Sequence, residues 1–172
     1  MIRKDLEIYL EVVAKKFGLE PALLVGLALA ESEGNWSHKR FDKAYRAIWD
    51  IEKNEPYPVT AALAKKFLPP DDFPGKGDEW VLQKSALGPI GLMGAEARRL
   101  GYVGDLNGLA GHDGVYLGAE YLRSLSDKYH TLHGIEGVLS AYQLGIPDVS
   151  KNQEYVAKVV QCVDQYKQFT RR

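Results

Sequence analysis

An apolar run near the start of the chain, PALLVGLALA, most constrains how this protein folds. The run extends from Pro21 to Ala30 and is followed directly by Glu31. Proline suits the first turn of a helix, and Gly34 marks where the segment stops. A helix that is apolar on every side belongs in the middle of a core, and this run is too short to span a bilayer. We therefore predict a buried central helix that ends at a carboxylic acid.

Apolar residues at helical spacing predict further helices on both sides of this run. The predicted segments are a helix over 6–17 closed by Gly18, a helix–turn–helix within 80–101, and helices over 113–129, 135–144 and 153–169. No segment has the alternation that is typical of a strand ladder. The expected fold class is therefore all-α.

The region between residues 38 and 79 has a weaker pattern. Its first part, residues 38–52, carries apolar residues at mixed spacing and predicts a short helix or an irregular segment. Residues 54–79 are rich in proline, glycine and aspartate, which predicts a loop-rich insertion with one short helix at about 60–67. The chain of 172 residues has the usual length of one domain, so we treat 1–172 as a single unit.

Charge and composition argue against several classes of function. The chain has 22 Lys and Arg against 23 Asp and Glu, and no basic stripe emerges, so a nucleic-acid partner is not expected. Cys162 has no second cysteine to pair with, and its helical surroundings predict a buried apolar side chain. His130 and His133 fall in a predicted loop without a third ligand, so no metal site is expected.

Glu31 is the residue with the most distinctive chemical setting. A carboxylic acid that acts on a glycosidic bond must hold its proton near neutral pH. Burial raises the pKa of a carboxyl group, and so does the partial negative charge at the end of a helix. Glu31 follows the apolar run and lies in its last turn, whereas Glu33 must point elsewhere and is predicted to be solvated. The residue pattern alone also allows a helix end that frays into solvent at Glu31.

The segment ALAESEGNW resembles the signature of soluble lytic transglycosylases, in which a helix ends in Glu-Ser. Three later segments are similar to the remaining motifs of this family, in the same order. They are SALGPIGLMGAEARRLGY from Ser85, Ala141-Tyr142-Gln143-Leu144-Gly145, and Tyr155-Val156 before Lys158-Val159. The resemblance covers residues 24–160 and implies the fold that the family shares with goose-type lysozyme, a single lysozyme-like domain.

The resemblance also implies an activity and a set of site residues. Members of the family cleave the β-1,4 bond between N-acetylmuramic acid and N-acetylglucosamine in peptidoglycan, with one Glu as acid and base and with no cofactor or metal. The matching positions make Glu31 the catalytic residue. The residues that the resemblance places against substrate are Ser32, Gly88, Ile90, Gly91, Tyr142, Gln143 and Tyr155. From the residue pattern alone, Tyr142 is equally a core aromatic, and Trp36, Tyr45, Trp49 and Trp80 are either core residues or sugar-stacking residues.

Two departures from the family pattern motivate alternatives. The glutamine of the second motif falls on Gly91 in a gapless match, which we prefer, or on Gly94 in a second placement. The asparagine of the third motif is Gln143. One alternative is therefore a catalytically impaired relative that binds glycan or forms part of a virion. Another is a hydrolytic muramidase, which needs a second carboxylate. The candidates are Asp and Glu residues in the loop between Glu52 and Glu79, and the sequence does not identify which of them serves.

The expected partner is the glycan strand of peptidoglycan, so the expected place of action is the cell wall or periplasm. The N-terminal residues MIRKDLEIYL show no export signal. This leaves two hypotheses, delivery by a phage particle or origin from a longer chain.

Overall fold

A computed structural model describes residues 2–75 and 77–170. Within them the protein is mostly helical, with two small antiparallel sheets. The helices are α1 Lys4–Lys16, α2 Pro21–Ser32, α3 Ala61–Ala64, α4 Gly77–Gln83, α5 Gly94–Arg99, α6 His112–Leu144 and α7 Gln153–Thr170, with 3-10 turns at Leu106–Ala110 and Val149–Lys151. The strands are β1 Lys39–Phe41, β2 Trp49–Asp50, β3 Glu55–Pro56, β4 Ser85–Leu87 and β5 Leu92–Met93.

Helix α2 is the buried centre of the molecule, as its apolar run predicts. It begins with Pro21 in its first turn, and nine of its residues are buried. It packs mainly against α7 and α1. At the crossing with α7, a Cβ atom on Gly26 would lie 2.4 Å from the Val163 side chain, so only glycine allows the two helices to approach this closely. The helix ends in Glu33 and Gly34, both in the left-handed conformation with φ of 56° and 77°.

The prediction that the chain contains no strands is wrong. Strands β1, β4 and β5 form one antiparallel sheet in that order, and β2 pairs with β3 in a second. Residues 38–52, predicted as a short helix or irregular segment, contain no helix; they are irregular except for β1 and β2. These strands have only two or three residues, too few to show alternation. Pairing partners that are distant in sequence therefore decide their conformation.

The loop predicted around His130 and His133 is also wrong. Both residues lie inside α6, which continues to Leu144. Only Gly134 departs from helical geometry, with φ of 63° and ψ of −173°, and the helix is broken there. α6 is therefore two helices that meet at Gly134. The predicted helices over 113–129 and 135–144 are confirmed, but the first extends through His133. The short helix predicted at 60–67 forms only over Ala61–Ala64.

A second, smaller apolar cluster joins the loop-rich segment to the residues on either side of it. Trp80, Ile48, Tyr57 and Phe73 are buried together, apart from the main core. The indole nitrogen of Trp80 donates a hydrogen bond to the Lys66 carbonyl oxygen at 3.2 Å. Because Trp80 is fully buried, it is a core residue and has no face free for a sugar.

Candidate active site

The end of α2 places the Glu31 side chain inside the protein. Only 7% of that side chain is exposed, although the helix terminates one residue later. The fraying helix end that the sequence also allowed is thereby excluded. Glu33, two residues on, is exposed, as predicted. Of these two neighbouring carboxyl groups, that of Glu31 is therefore buried and that of Glu33 is in contact with solvent.

Burial raises the pKa of Glu31 above its ordinary value. Three groups act in the opposite direction and lower this pKa: the Tyr155 hydroxyl and the positive charges of Arg40 and Lys158. The effect of burial exceeds their sum, so the pKa remains raised. Such a carboxyl group holds its proton at a higher pH than an exposed glutamic acid, which suits a general acid.

The tip of a β-hairpin covers one side of the Glu31 carboxyl group. Strands β4 and β5 pair through Leu87 and Leu92, and residues 88–91 form the connecting turn. The Gly91 amide closes this turn by donating to the Gly88 carbonyl oxygen at 3.2 Å. Gly91 has φ of 63°, and a Cβ atom there would lie 2.7 Å from Oε2 of Glu31. The hairpin backbone thus approaches the carboxyl group at a position that only glycine permits.

Gly88 is required for a different contact. It has φ of 73°, and a Cβ atom on it would lie 2.2 Å from the Leu109 carbonyl oxygen. The Gly88 amide donates to the His38 carbonyl oxygen at 2.9 Å, which joins the hairpin to the segment before β1. Gly88 therefore allows the hairpin to pack against Leu109, and Gly91 allows it to pack against the Glu31 carboxyl group.

Ser32 connects the end of α2 to the hairpin tip. Its hydroxyl lies 2.7 Å from the Pro89 carbonyl oxygen and 2.9 Å from the Ala28 carbonyl oxygen, both acceptors. The same oxygen accepts a hydrogen bond from the Asn35 amide at 3.1 Å. Ser32 is itself buried, so it positions the turn around Glu31.

Two tyrosines approach the acid from other helices. Tyr142 of α6 is buried and its hydroxyl donates to the Ile90 carbonyl oxygen at 2.9 Å. Tyr155 of α7 carries a buried hydroxyl that makes no hydrogen bond of ordinary geometry within the described residues. Burial raises the pKa of both phenols, and the negative charge of Glu31 raises them further. Both tyrosines are therefore neutral and can donate a hydrogen bond.

A cavity of about 120 Å³ lies beside Gly91. Tyr142 and Gln143 of the predicted site line it, and Gln143 is exposed there. Sequence reasoning did not anticipate Glu96 and Tyr121, which also line this cavity. Tyr45 lines it as well, and of the four aromatic residues considered for sugar stacking it is the one placed here.

The structure thus brings the predicted residues together at the end of α2. Ile90 contributes its carbonyl oxygen, while its fully buried side chain packs against Gly118. Arg40 and Lys158 were missed as site residues. Arg40 lies on a strand that the pattern did not show, and Lys158 stands next to Glu31 only because α7 packs against α2.

A larger groove, of about 650 Å³, lies elsewhere, along α7. None of the residues lining it belongs to the predicted site. Val149, Val156 and Val160 line it, with exposed polar side chains between them. It offers no buried acid or base, so the smaller cavity beside Gly91 is the better candidate for chemistry.

Within residues 2–75 and 77–170, no group of three or more His, Cys, Asp or Glu side chains could hold a metal ion. No helix in these ranges has the length and apolar character needed to cross a membrane. Cys162 is half-buried against the main core, rather than fully buried as predicted.

Comparisons with protein-family models, with curated proteins and with solved structures found no match to this chain.

Proposed function

We propose that this protein is a peptidoglycan lytic transglycosylase with a lysozyme-like fold, and that Glu31 is its catalytic acid and base. The observation that carries the proposal is the burial of the Glu31 carboxyl group where α2 ends, under a hairpin whose Gly91 leaves room for it. A buried carboxyl with a raised pKa is the group that protonation of a glycosidic oxygen requires. The motif resemblance supplies the substrate class.

The proposed reaction uses one carboxyl group twice. Glu31 donates its proton to the glycosidic oxygen as the bond from that oxygen to C1 of N-acetylmuramic acid breaks. The N-acetyl group of the substrate stabilises the positive charge that develops at C1, as in other substrate-assisted glycosidases. The C6 hydroxyl then attacks C1 and gives its proton to ionised Glu31. The products are a 1,6-anhydro sugar and a free 4-hydroxyl, and the enzyme is returned to its protonated state.

The family's glutamine has no room in this chain at either matching position. A side chain at 91 would collide with the Glu31 carboxyl group. At Gly94, a Cβ atom would lie 2.2 Å from the Leu82 carbonyl oxygen. The proposal therefore assigns substrate amide contacts to Gln143, which is exposed beside the cavity.

One observation favours hydrolysis as the second candidate. Glu96 lines the cavity beside Gly91 and supplies a second carboxylate in the neighbourhood of the acid. A second carboxylate that holds a water molecule would turn the same protonation step into hydrolysis. In this structure Glu96 is paired with Arg99, which competes for its oxygen atoms.

Mass spectrometry of the products from purified peptidoglycan separates these candidates. Anhydro ends support the transglycosylase and reducing ends support the muramidase. We expect Glu31→Gln to abolish cleavage and Glu33→Gln, a matched change at the exposed neighbour, to retain it. No cleavage by the wild type, together with binding to peptidoglycan, would instead support an impaired glycan-binding relative. Cleavage by Glu31→Gln would contradict the proposed role of Glu31 as catalytic acid and base.

A further inference from the structure

Two basic side chains, Arg40 and Lys158, lie close to the proposed acid. Nη2 of Arg40, on β1, lies 3.8 Å from Oε2 of Glu31. Lys158, on α7, is exposed and its Nζ donates to the Ala30 carbonyl oxygen, next to Glu31 in the chain. His38 precedes β1, and residues two apart on extended chain point to the same face, so His38 lies on the side of Arg40. The charges of Arg40 and Lys158 act on both Glu31 and His38.

Arg40 is poorly matched to its present partner. Its side chain is 52% exposed, and Glu31 is the one carboxyl group within salt-bridge distance of it in the described ranges. A general acid must be protonated when it acts, and protonated Glu31 offers no negative charge to a guanidinium. In the reactive state Arg40 is therefore a cation without an anion, at an exposed place beside the reaction centre.

The His38 imidazole lies beside the same cations, since the positive charges of Arg40 and Lys158 act on it. Its buried Nε2 has no hydrogen-bond partner within residues 2–75 and 77–170. Such atoms are uncommon in folded proteins. His38 therefore adds no anion that would neutralise Arg40 or Lys158.

We infer that Arg40 and Lys158, with His38 beside them, form a binding site for a carboxylate carried by the glycan strand, close to the catalytic acid. The inference rests on the proposed function and makes it more specific. Arg40 presents a planar fork of N–H donors that matches a carboxylate. Lys158 keeps further N–H donors beyond the one it uses on Ala30. In peptidoglycan such a carboxylate comes either from the lactyl group of muramic acid, free once its peptide is removed, or from the stem peptide.

The site would couple substrate binding to protonation of the acid. Arg40 and Lys158 lower the pKa of Glu31 in the free protein, as does Tyr155, while burial raises it. The Tyr142 phenol faces Glu31 from α6 and is neutral. A bound carboxylate neutralises the two cations, so Glu31 holds its proton more firmly in the complex than in the free enzyme. The pH at which kcat falls on the alkaline side reports the pKa of Glu31 in the complex, whereas that of kcat/KM reports its pKa in the free enzyme. We therefore expect kcat to fall at a higher pH than kcat/KM.

The test uses Glu31→Gln, which cannot cleave, as the binding protein, with and without Arg40→Gln. The control is Lys39→Gln, an exposed neighbour that loses the same charge but points to the opposite face of β1. Affinities are measured for peptide-free strands, for peptide-bearing strands, and for each strand after its carboxyl groups are converted to methylamides. Peptide-free strands isolate the lactyl carboxylate as the source, and peptide-bearing strands isolate the stem peptide.

We expect Arg40→Gln to weaken binding of one of the two carboxylate-bearing strands about tenfold, as for other hydrogen bonds to charged groups. It should have no effect on the methylamide strands, and Lys39→Gln should bind all strands like its parent. Equal affinity for charged and neutralised strands, or equal losses in Arg40→Gln and Lys39→Gln, would overturn the inference. If the wild type cleaves strands while binding ignores their charge, only this inference fails. If Arg40-dependent binding is found without cleavage, the carboxylate site stands and the proposed reaction fails.

Discussion

Replacing Gly91 with alanine tests the contact on which the proposed site depends. Gly91 has φ of 63°, where an L-residue is strained by about 1–2 kcal/mol. For a protein of this size, that loss lowers Tm by about 2–8 °C. The new Cβ atom would also lie 2.7 Å from Oε2 and 2.9 Å from Cδ of Glu31, well inside van der Waals contact. The carboxyl group must therefore move by several tenths of an ångström or more.

A displacement of this kind has a large effect on the rate. Misplacing a catalytic group by about 1 Å costs on the order of 100-fold. We expect Gly91→Ala to clear peptidoglycan suspensions about 100-fold more slowly than the wild type while remaining folded. Gly101→Ala is the matched control, because Gly101 has φ of 89° and no atom within 4 Å of the added Cβ. It should show a similar loss of Tm and normal activity.

The assays are the turbidity of peptidoglycan suspensions, thermal unfolding, and titration of the Glu31 carboxyl group by NMR. The titration reads the environment of Glu31 directly and does not depend on catalysis. If Gly91→Ala and Gly101→Ala match in activity and in the pKa of Glu31, then the hairpin does not position the acid and our reasoning is refuted.

Three further substitutions test Glu31 itself, the hydrogen bond from Ser32 to the hairpin, and the ion pair between Arg98 and Glu79. The raised pKa of Glu31 means that its contribution to stability is complete below the ordinary value and is lost as pH rises through the raised one. Thermal unfolding across pH should therefore show Glu31→Gln at least as stable as the wild type at neutral pH; a large destabilisation would argue against burial of a neutral acid. Ser32→Ala leaves the Pro89 carbonyl oxygen without its donor, and urea unfolding should show a loss of about 1–3 kcal/mol. Arg98→Met removes two hydrogen bonds of 2.8 Å to the Glu79 carboxylate, whose side chain is only 14% exposed and which keeps the hydrogen bond from Gln83. The same assay should show a loss of about 3 kcal/mol; a loss below about 1 kcal/mol would show that the pair is dispensable.

The central helix was predictable because its signal is local. Ten consecutive positions from Pro21 to Ala30 are apolar or small, so the helix must be buried on all sides wherever it lies. Glu31 directly follows this run in the same helix, so burial of the helix also buries the Glu31 side chain. The left-handed pair Glu33 and Gly34 completes the helix end close to the residue that the sequence indicated.

The strands were not predictable, for an equally physical reason. Residues 39–41 become β1 only because Ser85–Leu87 supplies the hydrogen bonds, from a position more than forty residues later in the chain. At such lengths neither propensity nor alternation carries a signal. The break between the two parts of α6 is confined to Gly134, whereas His130 and His133, which the sequence placed in a loop, are helical.

Local patterning alone was enough to place a carboxyl group at the end of a buried helix, since burial of that helix follows from its own side chains. The electrostatic surroundings of the group arise from packing. Arg40 approaches Glu31 from strand β1, and Lys158 and Tyr155 approach it from the last helix. The spacing of residues along the chain does not encode these distances. They depend on how β1 pairs with β4 and on how α7 crosses α2 at Gly26.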